Sequence, residues 1–143
     1  MARTISISML VLVLLLSGCG ASAAPTATVD IIEKQVAVAG GRYTDVSVAE
    51  LQSMLANKDF TFVNVHIPFD GNIAGTDLSI PYDQIAQNLD KLPDKDAKIV
   101  VYCRSGRMSA MAAETLVDTG YTNIVNLSGG MAAWELEGYQ IDR

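Results

Sequence analysis

Cysteine and histidine are scarce in this chain: two of the first and one of the second in 143 residues. That poverty excludes a multi-cysteine metal site, leaves room for one disulfide at most, and provides no imidazole cluster. No metal or cofactor is therefore expected. Basic residues are also in the minority, 10 Lys and Arg against 16 Asp and Glu, for a net charge of −6. Such an acidic balance argues against nucleic acid as a partner. Arg104 and Arg107 form the one basic cluster. After residue 18 no apolar run is long enough to span a bilayer, and no internal repeat is visible.

What the chain does have at its start is an export signal. Arg3 and the amino terminus give a positive segment, and residues 9–16 are an apolar run too short to cross a membrane comfortably. Leu16-Ser17-Gly18-Cys19 resembles the lipobox of bacterial lipoproteins. The resemblance implies cleavage before Cys19, a diacylglycerol thioether on its sulfur, and anchoring on the extracytoplasmic side of a bacterial membrane, periplasmic or outer. An ordinary secretory signal cleaved near residues 21–24 is the alternative. Lipidation would leave Cys103 as the sole free thiol, with no disulfide possible. The expected organisation is a signal over residues 1–18, a lipidated tether and ill-defined lead-in over 19–41, and one domain over 42–143. Within the lead-in, residues 30–41 are compatible with a short amphipathic helix or an edge strand.

From residue 42 strands and helices alternate. Residues 43–46 suggest a strand, and Ser47-Val48-Ala49-Glu50 is a capping box that opens a helix with Val48, Leu51, Met54 and Leu55 on one face. Residues 60–65 read as a strand covered on both faces. A short strand at 78–80, a helix carrying Ile85, Ala86 and Leu89, and a central strand at 99–102 follow. A helix closing at Gly120, a strand at 123–127 and a last helix at 131–137 complete the pattern. The order implies an α/β domain, a parallel sheet of about five strands flanked by helices, with its chemistry beyond the carboxyl ends of the strands.

At such an end lies the most informative segment, Val100-Val101-Tyr102-Cys103-Arg104-Ser105-Gly106-Arg107-Met108-Ser109. A β-branched run enters a cysteine, a tight loop follows, and a helix begins. This arrangement aims main-chain N–H groups and the positive end of a helix at one point, where an anionic sulfur is favoured. Gly106 lets the backbone curl. Arg104 and Arg107 would attract an anionic substrate, although either could be a solvated surface charge. Ser105 and Ser109 could donate to the cradle or cap the helix; Met108 rims the pocket or packs the core.

The loop from Cys103 to Met108, with Leu127-Ser128-Gly129-Gly130-Met131-Ala132-Ala133-Trp134 downstream, resembles the rhodanese family, over roughly residues 42–140. The resemblance implies a three-layer rhodanese-like fold and a sulfurtransferase that carries sulfur as a Cys103 persulfide. The expected partners are a small sulfur-containing anion such as thiosulfate and a thiol or cyanide acceptor, with a membrane contact through the N-terminal lipid. Many family members have Asp-x-Arg after the second strand and Gly-His-Ile-x-Gly-Ala beyond it. Here Asn64-Val65-His66 and Gly71-Asn72-Ile73-Ala74-Gly75-Thr76 stand instead. Asn64 and His66 are thus supporting candidates with neutral hydrogen bonds, and His66 could alternatively pair with Cys103 as a base. Two other readings share the architecture. One is a tethered sulfur-binding or redox-sensing module without efficient turnover. The other is a cysteine phosphatase or arsenate reductase, whose arginine six positions after the cysteine is here Ser109.

Overall fold

The computed structural model describes residues 34–143, so Cys19, the signal and the start of the lead-in lie outside the described residues. The sheet has six strands, one more than expected: β1 (Lys34–Val38), β2 (Gly41–Val46), β3 (Thr61–Asn64), β4 (Leu78–Ser79), β5 (Ile99–Tyr102) and β6 (Ile124–Leu127). Their spatial order is β1-β2-β6-β5-β3-β4. All neighbours are parallel except β1 and β2, an antiparallel hairpin in which Val38 faces Gly41. The extra strand resolves the ambiguity of the lead-in. Val36 and Val38 alternate onto the core while Lys34, Gln35 and Ala37 are exposed, the period of an edge strand.

Three helices cover the sheet: α1 (Val48–Ala56), α2 (Arg107–Asp118) and α3 (Gly130–Leu136). The capping box at Ser47 is formed, its N–H donating to Glu50 Oε2 at 2.6 Å and its Oγ accepting from the Glu50 N–H at 3.3 Å. One face of the sheet presents Val63, Val65, Ile99, Val101 and Ile124 to Ala112, Ala113 and Leu116 of α2. The other presents Phe62, Val100, Tyr102 and Leu127 to Leu51 of α1 and to Met131 and Trp134 of α3. β5 and β6 are buried at every position, so successive side chains feed opposite cores. The sheet therefore holds the carboxyl end of β5, and Cys103 beyond it, between two packed layers.

One expected helix is absent in that form. The segment with Ile85 and Leu89 folds as two short 3-10 turns, Tyr82–Gln87 and Leu89–Lys91. Asn88 is the cause. Its side chain donates to the Gln84 carbonyl at 2.8 Å and its backbone departs to φ −124°, which ends the first turn.

β3 and the loop before β4 are tied by Asp77. Its carboxylate accepts from the Phe62 N–H at 2.7 Å and from Lys58 Nζ at 2.6 Å. Desolvation raises its pKa, but the Lys58 hydrogen bond, the Phe62 N–H and the Lys58 charge outweigh it, leaving the carboxyl below its ordinary 3.8. A carboxyl lowered on folding stabilises the fold above its unfolded value, and that contribution is lost as pH falls through the folded one. Asp77→Asn should lower stability at neutral pH by about 1 kcal/mol or less, because water screens so exposed a pair. Denaturant melts should show the gap to wild type narrowing below about pH 4 and closing once both states are protonated.

Candidate active site

Cys103 follows β5 directly and is 1 % exposed, while Arg104 and Ser105 beside it face solvent. Its Sγ accepts from the Gly106 N–H at 3.1 Å and from Ser109 Oγ at 3.5 Å. Gly106 is the N-cap of α2 with φ 88°, a left-handed conformation that turns its N–H back toward the sulfur. The thiol thus sits at the positive end of a 12-residue helix. Ser109 is fully buried in the first turn and has one proton for two acceptors, Sγ and the Gly106 carbonyl at 3.1 Å. No side chain caps α2, so neither Ser105 nor Ser109 serves the capping role. Met108 packs partly against the α2-side core. Arg107 opens α2 and is exposed, and among the described residues no carboxylate lies within ion-pair distance of it.

The loop is locked from behind by the start of α3. The Met131 N–H donates to the Cys103 carbonyl at 2.9 Å and the Ala132 N–H to the Arg104 carbonyl at 2.8 Å. Gly130 makes this possible: at φ 56°, a Cβ there would lie 2.1 Å from the Cys103 carbonyl oxygen. The downstream Gly129-Gly130 pair is therefore a structural wall of the site, a role that its sequence signature did not reveal.

Asn64 and His66 do not reach the sulfur by hydrogen bonds. Asn64 is buried, and its Nδ2 donates to the Gly71 carbonyl and to Asn72 Oδ1, both at 2.9 Å, while its Oδ1 accepts from the His66 N–H at 3.0 Å. An aspartate at 64 would turn a carboxylate toward those two acceptor oxygens, so the amide is required by its neighbours. Tyr102, next to the candidate nucleophile, completes the network. Its hydroxyl accepts from the Ile73 N–H at 3.0 Å and lies 2.7 Å from Thr76 Oγ1 and 3.3 Å from Asn72 Oδ1. Burial raises its pKa from 10.0, against the opposing hydrogen bonds from Thr76 and Ile73, so it stays neutral. His66 Nδ1 is buried without a hydrogen-bond partner, and the hydrogen bonds to Sγ come from Gly106 and Ser109, so no Cys103–His66 dyad is formed.

Three residues escaped the sequence reading: Asp70, Glu135 and Arg143. Asp70 forms an ion pair with Arg104, its second oxygen lies 3.6 Å from Arg143 Nε, and Arg143 donates to Glu135 at 2.6 Å. Glu135 and Arg143 also line a groove of about 460 Å³ with Gly138, Tyr139, Gln140 and Ile141, none of them in the Cys103 loop.

A cysteine at the carboxyl end of a central parallel strand, with its sulfur facing a loop amide and a helix N-terminus, is the arrangement expected of rhodanese-type α/β domains. The Rhodanese-like domain profile matches residues 47–137, and the chain belongs to that family. It is 33% identical over 93 residues to a sulfurtransferase of Allochromatium vinosum, covering 63% of this chain and 85% of that one. It is 36% identical over 53 residues to the thiosulfate sulfurtransferase PspE of Escherichia coli, covering 36% of this chain and 51% of that one. Among solved structures, a rhodanese-related protein of Thermoplasma volcanium superposes with a TM-score of 0.59 at 33% identity. That match covers 68% of this chain and 95% of the other.

If Gly130 is the wall that fixes the loop, Gly130→Ala should cost about 3 kcal/mol from overpacking and a strained backbone. Chemical denaturation measures the loss. Iodoacetamide should label Cys103 faster in the variant, because the loop can no longer seat against α3.

Proposed function

We propose that this protein is a sulfurtransferase that moves sulfane sulfur from thiosulfate or a related anionic donor to cyanide or a thiol through a Cys103 persulfide. The observation that carries the reading is the Gly106 N–H pointing at Cys103 Sγ across 3.1 Å at the start of α2. In the first step the Cys103 thiolate attacks the outer sulfur of thiosulfate. An S–S bond forms, the sulfur–sulfur bond of the donor breaks, and sulfite leaves with the electron pair. In the second step cyanide or a thiolate attacks the outer persulfide sulfur, giving thiocyanate or a new persulfide and regenerating the Cys103 thiolate. No proton or external oxidant is needed in either step. Covalent catalysis splits one transfer into two, and the Gly106 N–H with Ser109 Oγ would stabilise negative charge on sulfur throughout. Arg107, which has no ion-pair partner among the described residues, would draw the anion in.

The burial of Cys103 supports sulfur transfer over phosphate chemistry, because a slim terminal sulfur reaches a 1 % exposed thiol more readily than a tetrahedral oxyanion does. The same burial favours the second reading, a module that holds sulfur and releases it slowly. The resemblance of residues 16–19 to a lipobox supports a location as well: a lipid on Cys19 would hold the domain at the extracytoplasmic face of a bacterial membrane. Among the described residues no helix is long and apolar enough to cross a membrane.

Intact-mass measurement after thiosulfate treatment, followed by cyanide, separates these readings. One added sulfur atom that disappears with cyanide and is absent in Cys103→Ser supports the enzyme. A sulfur that stays favours the holding module. No adduct, with cleavage of an aryl phosphate, would overturn both. Ser109→Ala should slow loading about tenfold, the loss of one hydrogen bond to a charged sulfur.

A further inference from the structure

The two arginines of the Cys103 loop are not equivalent. Arg107 faces no carboxylate among the described residues, whereas Arg104 is tied to Asp70. The main chain just after Asp70 is pinned to the tail. Its neighbour Gly71 has φ 97°, and a Cβ there would lie 2.6 Å from the Asp142 carbonyl. Asn72 and Asp142 exchange two main-chain hydrogen bonds at 2.8 Å each, clamping the tail against this loop. Arg143 then approaches Asp70 at 3.6 Å and is held by Glu135 at 2.6 Å. The result is a row, Arg104–Asp70–Arg143–Glu135, whose charges cancel.

We infer that Asp70 is a specificity-determining residue: by pairing with Arg104 it withdraws one positive charge from the mouth of the Cys103 loop, biasing donor choice toward singly charged organic persulfides over dianions such as thiosulfate. The inference rests on the sulfur-transfer reading above. Its physical basis is that a charge of −2 feels any change in local potential twice as strongly as a charge of −1. Rate ratios depend exponentially on that energy, so the factor for a dianion should be the square of the factor for a monoanion. Asp70 would act chiefly by occupying Arg104, and to a lesser degree by its own charge, without touching the donor.

The test compares thiosulfate with 2-hydroxyethyl persulfide, a monoanion when ionised, as donors at low ionic strength. Asp70→Asn, nearly isosteric and neutral, should raise kcat/KM for thiosulfate about 4–10-fold, mainly through KM, and for the persulfide about 2–3-fold. Both gains should shrink toward unity near 1 M salt, where the screening length falls to about 3 Å. Asp70→Ser must show the same direction, which guards against a folding artefact of one variant. Glu135→Gln removes an equal charge that touches Arg143 and not Arg104, and should change the donor ratio little. In an Arg104→Gln background the gain from Asp70→Asn should be smaller, because only the carboxylate's own through-space repulsion of the donor is then removed and no guanidinium is freed. Equal gains for the two donors, an equal effect of Glu135→Gln, or an undiminished effect without Arg104 would overturn the inference. Failure of wild type to take sulfur from either donor would instead overturn the sulfur-transfer reading on which it stands.

Discussion

The site depends on a seam between two pieces of main chain. Two N–H groups at the start of α3 donate to the carbonyls of Cys103 and Arg104, and the absence of a side chain at Gly130 lets them come that close. These bonds satisfy carbonyls that would otherwise compete for the loop amides. With its carbonyls turned back toward α3, the loop is free to turn the Gly106 N–H the other way, onto the sulfur. The nucleophile is thus positioned by α2 in front and α3 behind, and neither helix alone would suffice. The parallel sheet matters because it brings both helix starts to the same edge, beyond the ends of the adjacent strands β5 and β6.

Beside that seam, a neutral network replaces the charged residues that many family members carry after the second strand. Asn64 satisfies two acceptors and one donor, Tyr102 satisfies the Ile73 N–H, and Thr76 closes the turn on the Ile73 carbonyl at 2.6 Å. Each group has a partner, so the network holds the 71–76 loop without burying a charge. Bracing by amides and hydroxyls also leaves the potential around the sulfur to the helix dipole and to residues at the rim. Charge at this site is a surface matter, set by Arg104, Arg107 and Asp70.

How much of this was legible in the sequence follows from the range of each interaction. The capping box at Ser47, the buried β5 and the loop from Cys103 to Ser109 are local, spelled out by neighbouring residues, and could be read directly. The β1 strand was ambiguous because five residues of alternation do not separate an edge strand from a short helix face. The 3-10 turns hid behind apolar spacing, since a single side chain, Asn88, competes for a carbonyl and propensity does not weigh that contest. Asp70 gave no signal at all. Its partner Arg104 lies 34 residues away, and only the clamp between Asn72 and Asp142 brings the tail's Arg143 beside them.

The same distinction separates what the fold must preserve from what it can vary. Gly130, Gly106 and Tyr102 are fixed by contacts of main chain, where a single added atom or lost hydroxyl meets an obligatory hydrogen bond. Asp70, Arg104 and Arg143 are half-exposed, and replacing any of them removes charge while leaving those main-chain bonds in place. A scaffold of this kind can change the potential at its loop mouth without disturbing the sulfur's own hydrogen bonds. Donor preference would then be adjustable independently of the covalent step, because screening and pairing at the rim act on approach while the Gly106 N–H acts on the bound sulfur.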